Sequence, residues 1–157
     1  MLIEFQEYLT FENIYLWANF GILPFWLMIV VIPNSKFTQF FINSIILPLI
    51  LSTAYIYTAY QAFLLDEPIS DILKIYFNLD NLYTVLASES FLLIFWLHFI
   101  SLNLFLGTWI SIDGVKYNIG RTLVFIPLIF VYFVGPFGLV IYWFIRVFYA
   151  KRLSFHD

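Results

Sequence analysis

The sequence predicts an all-α integral membrane protein that crosses the bilayer as a bundle of four transmembrane helices. Of its 157 residues, 63% are hydrophobic and 11% are charged, whereas roughly a quarter of the residues are charged in ordinary soluble domains. A soluble domain of this size keeps a large share of its surface in water, so it could not hide this much apolar surface. Four stretches without any charged residue are each long enough to cross a hydrocarbon core of about 30 Å.

The gaps between charges predict where the spans lie. They run from Glu12 to Lys36, from Lys36 to Asp66, from Glu89 to Asp113 and from Arg121 to Arg146. Because a chain in lipid must satisfy its own backbone hydrogen bonds, each gap should be helical. The predicted helices cover about residues 14–32, 45–65, 82–110 and 122–148 of a single membrane domain, residues 1–157. The alternative is a soluble protein with four buried helices, but residues 122–145 lack the polar stripe of soluble helices.

Composition excludes several function classes. The chain has no Cys, which excludes disulfides, thiolate zinc sites and a Cys nucleophile. Its net charge of −3 and the lack of a basic run argue against a nucleic-acid partner. The two His residues, His98 and His156, form no HxxxH pair, so a His-rich di-iron site is not expected. We therefore expect no metal and no redox cofactor.

The N-terminal residues carry no targeting signal. Residues 1–13 contain three Glu and neither Lys nor Arg, unlike a secretory signal or a plastid transit peptide. The expected location is a multi-pass position in a bacterial cytoplasmic or photosynthetic membrane, or in a plastid membrane. An even number of spans would place both termini on one side, and the C-terminal basic residues favour the cytoplasmic side.

Two ionisable residues, Glu89 and His98, are predicted at membrane depth, where such groups are costly and usually functional. The alternatives are a solvated acid at a helix start for Glu89 and a neutral imidazole bonded to a neighbouring helix for His98. Nine residues separate them, so they lie on opposite helix faces about 13 Å apart along the axis. We expect His98 to face another helix or a bound ligand and Asn103 to be hydrogen-bonded within the bundle. Gly107 is predicted to be a close-packing position.

The motifs of the last two predicted helices resemble the neoxanthin-synthase family, also called the abscisic-acid-deficient type. The resemblance is carried by Ser88-Glu89, Trp96-x-His98, Asn103-Leu104-Phe105, Gly107, Trp109, Asp113, Arg121 and Gly135-Pro136-x-Gly138-Leu139. The run Gly21-Ile22-Leu23-Pro24-Phe25-Trp26, followed by Pro33-Asn34 and Lys36, is also similar. One position departs, since the family usually has Asp where this chain has Asn103.

The resemblance implies a carotenoid-modifying enzyme, a xanthophyll isomerase that opens an epoxide by acid–base catalysis without redox change. Glu89 and His98 would be the catalytic pair. The implied substrate-binding residues are Trp96, Asn103, Trp109, Asp113 and Arg121. The implied partners are a carotenoid or another lipid, the membrane and other membrane-protein subunits. The alternative function is a non-catalytic pigment- or lipid-binding subunit of a larger complex, such as a photosynthetic one.

Overall fold

The computed structural model describes residues 8–42, 46–63 and 73–151, and all regular elements in these ranges are helical. The helices are α1 (Phe11–Val31), α2 (Lys36–Ile42), α3 (Ile46–Gln61), α4 (Leu79–Leu86), α5 (Glu89–Lys116), α6 (Arg121–Val134) and α7 (Pro136–Ala150). A short 3₁₀ turn covers Leu73–Tyr76. The predicted all-α class is confirmed for the described residues, while four membrane crossings are not.

Two helices are long and apolar enough to cross a membrane, by length and composition. They are α1, with 21 residues, and α5, with 28 residues. At 1.5 Å per residue they measure about 32 Å and about 42 Å, against a hydrocarbon core of about 30 Å. Pro24 lies inside α1, where its ring removes one helical hydrogen bond without ending the helix.

The predicted third helix differs from the structure at both ends. A break at Ala87 and Ser88 separates α4 from α5, so a helix begins at Glu89 and not at Leu82. The same helix continues to Lys116, although the predicted helix ended at about residue 110. Asp113 is therefore a helical residue.

The predicted fourth helix is wrong as a single span. Residues 122–148 divide at Gly135, whose φ of 60° lies in the left-handed region that favours glycine. Gly138 then lies directly against the backbone of Pro127 and Val131, which shows that α7 folds back on α6. The two helices have 14 and 15 residues, or about 21 Å and 22 Å each, too short to cross the hydrocarbon core singly.

Both ends of this helical hairpin return to the C-terminal end of α5. Val124, at the start of α6, lies beside Gly114 of α5, and Arg146, near the end of α7, binds Asp113 of α5. The start of α6 and the end of α7 therefore lie near the same end of α5. The prediction that both termini share one side depended on an even number of crossings, and it loses this basis.

The described residues form two compact units. The first combines Met1–Gly21 with Pro48–Phe99, and the second combines Ile22–Leu47 with Ile100–Asp157. Each unit has its own buried apolar residues. Ile14, Leu51, Phe91 and Leu97 are buried in the first, and Ile29, Ile110, Leu128, Val131 and Tyr142 in the second. Residues 64–72 lie outside the described residues. They include the last two residues of the second predicted helix and the first part of the segment between it and the third.

Candidate functional site

Two carboxylates line one cavity in the first unit. Glu12 lies in the first turn of α1, and Glu89 is the first residue of α5. The partial positive charge at a helix N-terminus favours an acid there, which explains this position in each helix. The cavity has a volume of about 340 Å³, within the range of roughly 300–1,000 Å³ found for small-molecule sites. Its other walls are apolar or aromatic, formed by Phe11, Tyr15, Leu92, Leu93 and Trp96.

The same two carboxylates also border a more polar cavity. This second cavity, of about 610 Å³, shares Phe11, Glu12 and Glu89 with the first and is also lined by Leu9, Thr10, Tyr57 and Gln61. Neither carboxylate has a hydrogen bond or ion pair with any described residue. Both glutamates are exposed. Their carboxylates are therefore available to a ligand that enters either cavity.

Trp96 forms a fixed wall of the apolar cavity. Its indole Nε1–H donates to Oδ1 of Asn19 at 3.1 Å, and the Asn19 amide in turn donates to the backbone carbonyl of Tyr15 at 2.7 Å. The Trp96 ring lies 6.0 Å from the ring of Tyr15 and 5.5 Å from that of Phe99, measured between centroids. The hydrogen bond and the ring contacts therefore restrain the indole that lines the cavity.

Glu89 is placed differently from the sequence prediction. It was predicted about two turns inside a helix, at membrane depth, but it is the exposed first residue of α5. The alternative considered above, an acid at a helix start, describes its position correctly. Its substrate-facing role stays a prediction, which the shared cavity with Trp96 supports.

His98 lies on a face of α5 that carries large exposed apolar side chains. Its side chain is exposed, and it has no hydrogen bond to any described residue. Its neighbours on the same face of α5 are also exposed, namely Phe95, Leu102 and Phe105. Nothing among the described residues supports the prediction that His98 faces another helix, and its contact with another helix or a bound ligand stays a prediction. The proposed pairing of His98 with Glu89 has no support in this geometry.

Asn103 is buried in the second unit, as predicted, but it lacks the predicted hydrogen bond. Its side chain is 3% exposed, and its Nδ2 has no partner among the described residues. One turn later, a Cβ on Gly107 would lie 2.5 Å from the ring of Trp26 on α1. Gly107 is thus a close-packing position, as the sequence predicted. Nε1 of Trp26 is likewise buried without a partner in the described part of the chain.

Asp113 belongs to a buried ionic cluster that joins α5 to α7. Its Oδ2 accepts from Nε of Arg146 at 2.7 Å and from the hydroxyl of Tyr142 at 2.7 Å. The Arg146 guanidinium also donates to the hydroxyl of Tyr117 at 3.2 Å and lies 4.7 Å from the centre of that ring. The Arg146 side chain is 1% exposed and that of Asp113 is 8% exposed. Its other oxygen, Oδ1, lies 3.5 Å from Nη2 of Arg146. These contacts join the hairpin to α5.

The remaining predicted binding residues lie elsewhere in the second unit. The half-buried Trp109 packs edge-on against Tyr142, with 5.7 Å between ring centroids. Arg121 is exposed at the start of α6 and borders a small cavity of about 140 Å³ together with Asn34 and Ser111. The structure thus joins Glu89 with Trp96 and joins Trp109 with Asp113 through Tyr142. Arg121 is in neither group.

Four residues of these arrangements were missed from the sequence. Glu12 and Arg146 were treated as charges that bound the spans, Trp26 was noted only as part of a family motif, and Tyr142 was not singled out. Charge spacing gave no sign of the Arg146 pairing, because 33 residues separate it from Asp113. A signal for Glu12 was present: both it and Glu89 begin long apolar helices, and parallel packing brings such starts together.

These features define a class of protein. It is helical in its described residues, has two helices that could cross a membrane, and carries an aromatic-walled cavity beside two carboxylates. The chain belongs to the ABA4-like family, because the family model described as ABA DEFICIENT 4-like matches residues 13–142. This confirms the resemblance seen in the motifs and relates the chain to neoxanthin synthase and abscisic-acid biosynthesis. No curated protein and no solved structure matches the chain significantly.

Proposed function

We propose that this protein is a membrane-embedded xanthophyll isomerase in which Glu12 and Glu89 supply acid–base catalysis. The observation that carries the proposal is the aromatic-walled cavity that both carboxylates line. An epoxide-bearing ring at the end of a polyene is apolar, has one oxygen to protonate and has a flat conjugated tail. The face of Trp96 and the ring of Tyr15 would pack against such a group.

The chemistry needs one acid and one base. The protonated carboxyl of one glutamate gives its proton to the epoxide oxygen, and the carbon–oxygen bond breaks to leave a hydroxyl group. The carboxylate of the other glutamate removes a proton from the adjacent polyene carbon, and the electron pair becomes the new double bond of an allene. Atoms and electrons balance without an oxidant or reductant, and positioned acids and bases contribute roughly 10²–10⁴-fold each to such steps. His98 takes no part in this scheme.

The membrane supplies the substrate in this proposal. Large apolar side chains cover the outside of the two longest helices, including Trp17, Phe20 and Leu27 of α1 and Phe95 and Phe105 of α5, each more than half exposed. Such a surface suits lipid contact, because lipid removes the cost of exposing it to water. We infer a multi-pass position with α1 and α5 as crossings. The kind of membrane stays a prediction.

Pigment conversion in cells tests the proposal. The full chain would be expressed in cells that make violaxanthin, and the pigments would be separated by chromatography and identified by mass spectrometry. The proposal predicts a new pigment of unchanged mass, and a loss of conversion of about 10²-fold or more in Glu89→Gln and Glu12→Gln. Asp80→Asn, an exposed acid at the start of α4, is the matched control and should convert normally. Unchanged pigment with membrane-inserted wild-type protein would refute the plant-like reaction.

A second function is favoured by His98. An exposed imidazole on an apolar helix face has unpaired polar atoms in lipid, which costs free energy unless something outside the chain binds it. This observation favours a non-catalytic pigment- or lipid-binding subunit of a larger membrane complex. Purification in a gentle detergent separates the two functions, since a subunit should elute with pigment or with partner proteins. Elution alone and without pigment would count against this role.

A further inference from the structure

A small polar cavity in the second unit lies where α1 and α5 end and α6 begins. It has a volume of about 140 Å³. Three side chains that carry N–H donors border it, namely Arg121, Asn34 and Asn118. None of these side chains has a hydrogen bond or ion pair with a described residue. The cavity therefore offers a guanidinium and two amides to a bound group.

Direct packing between the three helices forms the cavity. The hydroxyl of Ser111 on α5 donates to the backbone carbonyl of Ile29 on α1 at 3.3 Å. Val124 on α6 lies so close to Gly114 on α5 that a Cβ there would be 2.9 Å from it. Ser111, Ile29, Val124 and Gly114 all line the cavity. Its walls are thus built by contacts within the chain and do not need a ligand to bring them together.

The charges of the second unit favour an anion at this cavity. Its described residues carry five cationic side chains and one carboxylate. That carboxylate, Asp113, is already bound to Arg146. The other four cations are exposed and lie at or just beyond helix ends: Lys36, Lys116, Arg121 and Lys151. Arg121 borders the cavity, and Lys36 follows the bordering Asn34 by two residues, so this region attracts negative charge.

Exposed apolar side chains lie beside these cations. Val115 and Phe125 border the cavity and are exposed, and Val31, at the end of α1, is exposed as well. In a membrane, the level at which apolar side chains give way to cations is the level of the lipid headgroups. A phospholipid brings a phosphate for the donors and acyl chains for the apolar surface, whereas a free anion uses only the donors.

We propose that this cavity binds the phosphate of an anionic phospholipid, with Arg121 as the cation and Asn34 and Asn118 as further donors. The planar fork of a guanidinium matches two phosphate oxygens. The volume suits a phosphate group and is below the roughly 300–1,000 Å³ of sites for whole small molecules. Because the one carboxylate in the described residues of this unit is engaged, a zwitterionic headgroup finds no partner there for its amine. The inference rests on the membrane position inferred above and not on the isomerase reaction.

Lipid titration followed by native mass spectrometry tests the proposal. The purified full chain in a mild detergent would be titrated with phosphatidylglycerol or with phosphatidylcholine, and Kd would be read from the fraction of protein with one lipid bound. We expect phosphatidylglycerol to bind about fivefold or more tightly, since one cation near an anionic lipid contributes about that factor. Excess inorganic phosphate should not displace the lipid, because it lacks acyl chains.

Two variants locate the binding at the cavity. Arg121→Gln should weaken phosphatidylglycerol binding about fivefold by removing the cation. Asn118→Asp should weaken it as well by placing a carboxylate at the cavity, and Asp tolerates the positive φ of 53° at this position. Lys74→Gln removes an exposed cation of the first unit and is the matched control, with wild-type affinity expected. Thermal unfolding of each variant without added lipid checks that the fold is intact, and wild-type midpoints are expected because both altered side chains are exposed.

Three outcomes would overturn the proposal. The wild type could bind both lipids equally, or phosphatidylglycerol affinity could survive in both Arg121→Gln and Asn118→Asp. Displacement of the lipid by inorganic phosphate would assign the cavity to a free anion and not to a lipid. None of these measurements uses violaxanthin, so a failed pigment conversion and a failed lipid preference are distinguishable.

Discussion

Removing the carboxylate of Asp113 should destabilise the protein strongly. In Asp113→Asn, the Arg146 guanidinium keeps its charge at a position where its side chain is 1% exposed, and it loses the carboxylate that lies 2.7 Å from its Nε. Leaving one member of a buried pair uncompensated typically costs about 3–5 kcal/mol. The variant also weakens the bond from Tyr142, which lies 2.7 Å from the carboxylate. We therefore expect a loss of at least about 3 kcal/mol in the free energy of unfolding.

The double variant Asp113→Leu/Arg146→Met separates charge from packing. Replacing a whole buried pair by apolar side chains of similar size is often neutral or stabilising, so this variant should recover most of the lost stability. The assay is reversible unfolding of the full chain in mixed micelles, titrated with a denaturing detergent and followed by tryptophan fluorescence. The exposed Asp80→Asn is the control and should stay within about 0.5 kcal/mol of wild type. If the free energy of unfolding of Asp113→Asn were equally close to that of wild type, the inference that the ionic cluster stabilises the contact between α5 and α7 would be refuted.

Three further predictions follow from the packing. Gly107→Ala should lower the free energy of unfolding by about 1–3 kcal/mol, because its Cβ would overlap Trp26. Gly21→Ala is the control: its Cβ would have nothing within 4 Å, so the free energy of unfolding should stay the same or rise by about 0.5–1 kcal/mol in the same assay. Equal effects of the two substitutions would contradict the close contact at Gly107. Gly135→Ala should lower the free energy of unfolding by about 1–2 kcal/mol, because residue 135 has a positive φ. An unchanged midpoint of the unfolding titration would mean that no hairpin turn is present. His98→Ala should leave the rate of violaxanthin conversion within about twofold of wild type. Loss of a catalytic acid or base would lower that rate by roughly 10²-fold. A loss of that size would show that His98 belongs to the catalytic site.

The sequence predicted the helices better than their ends. The charge gap from Glu12 to Lys36 marks α1 closely, because a lipid-crossing helix excludes charge along its whole length. The gap from Arg121 to Arg146 gave the wrong structure, since an apolar helical hairpin lacks charged residues just as a single span would. Gly135 followed by Pro136 is consistent with a kink or a turn, and only the left-handed backbone at Gly135 decides for the turn.

The candidate site depended on contacts that spacing does not contain. Helical geometry puts Trp96, Asn103 and Gly107 on one face of α5, and Asn103 and Gly107 are buried in the structure. The same geometry put His98 on the opposite face, but periodicity does not say whether a second helix covers that face, and none does among the described residues. Glu12 and Glu89 come to line one cavity because the first turns of α1 and α5 pack side by side. That is a tertiary contact, which residue spacing does not predict.

The family motifs supplied what physical reasoning about the sequence alone did not. Composition and periodicity indicated a membrane protein and two ionisable candidates, without a substrate. The match over residues 13–142 connects the chain to the ABA4-like family. The structure adds the cavity beside Glu12, a residue that lies just before the matched region.

Conversion by purified protein tests the central claim most directly. The full chain in liposomes would be given violaxanthin alone, without any added metal or redox partner, and the products would be followed by chromatography and mass spectrometry. The account predicts an allenic product of unchanged mass from the wild type and from Asp80→Asn, and a rate lower by about 10²-fold or more in Glu89→Gln and Glu12→Gln. Full activity in both glutamine variants would contradict the account.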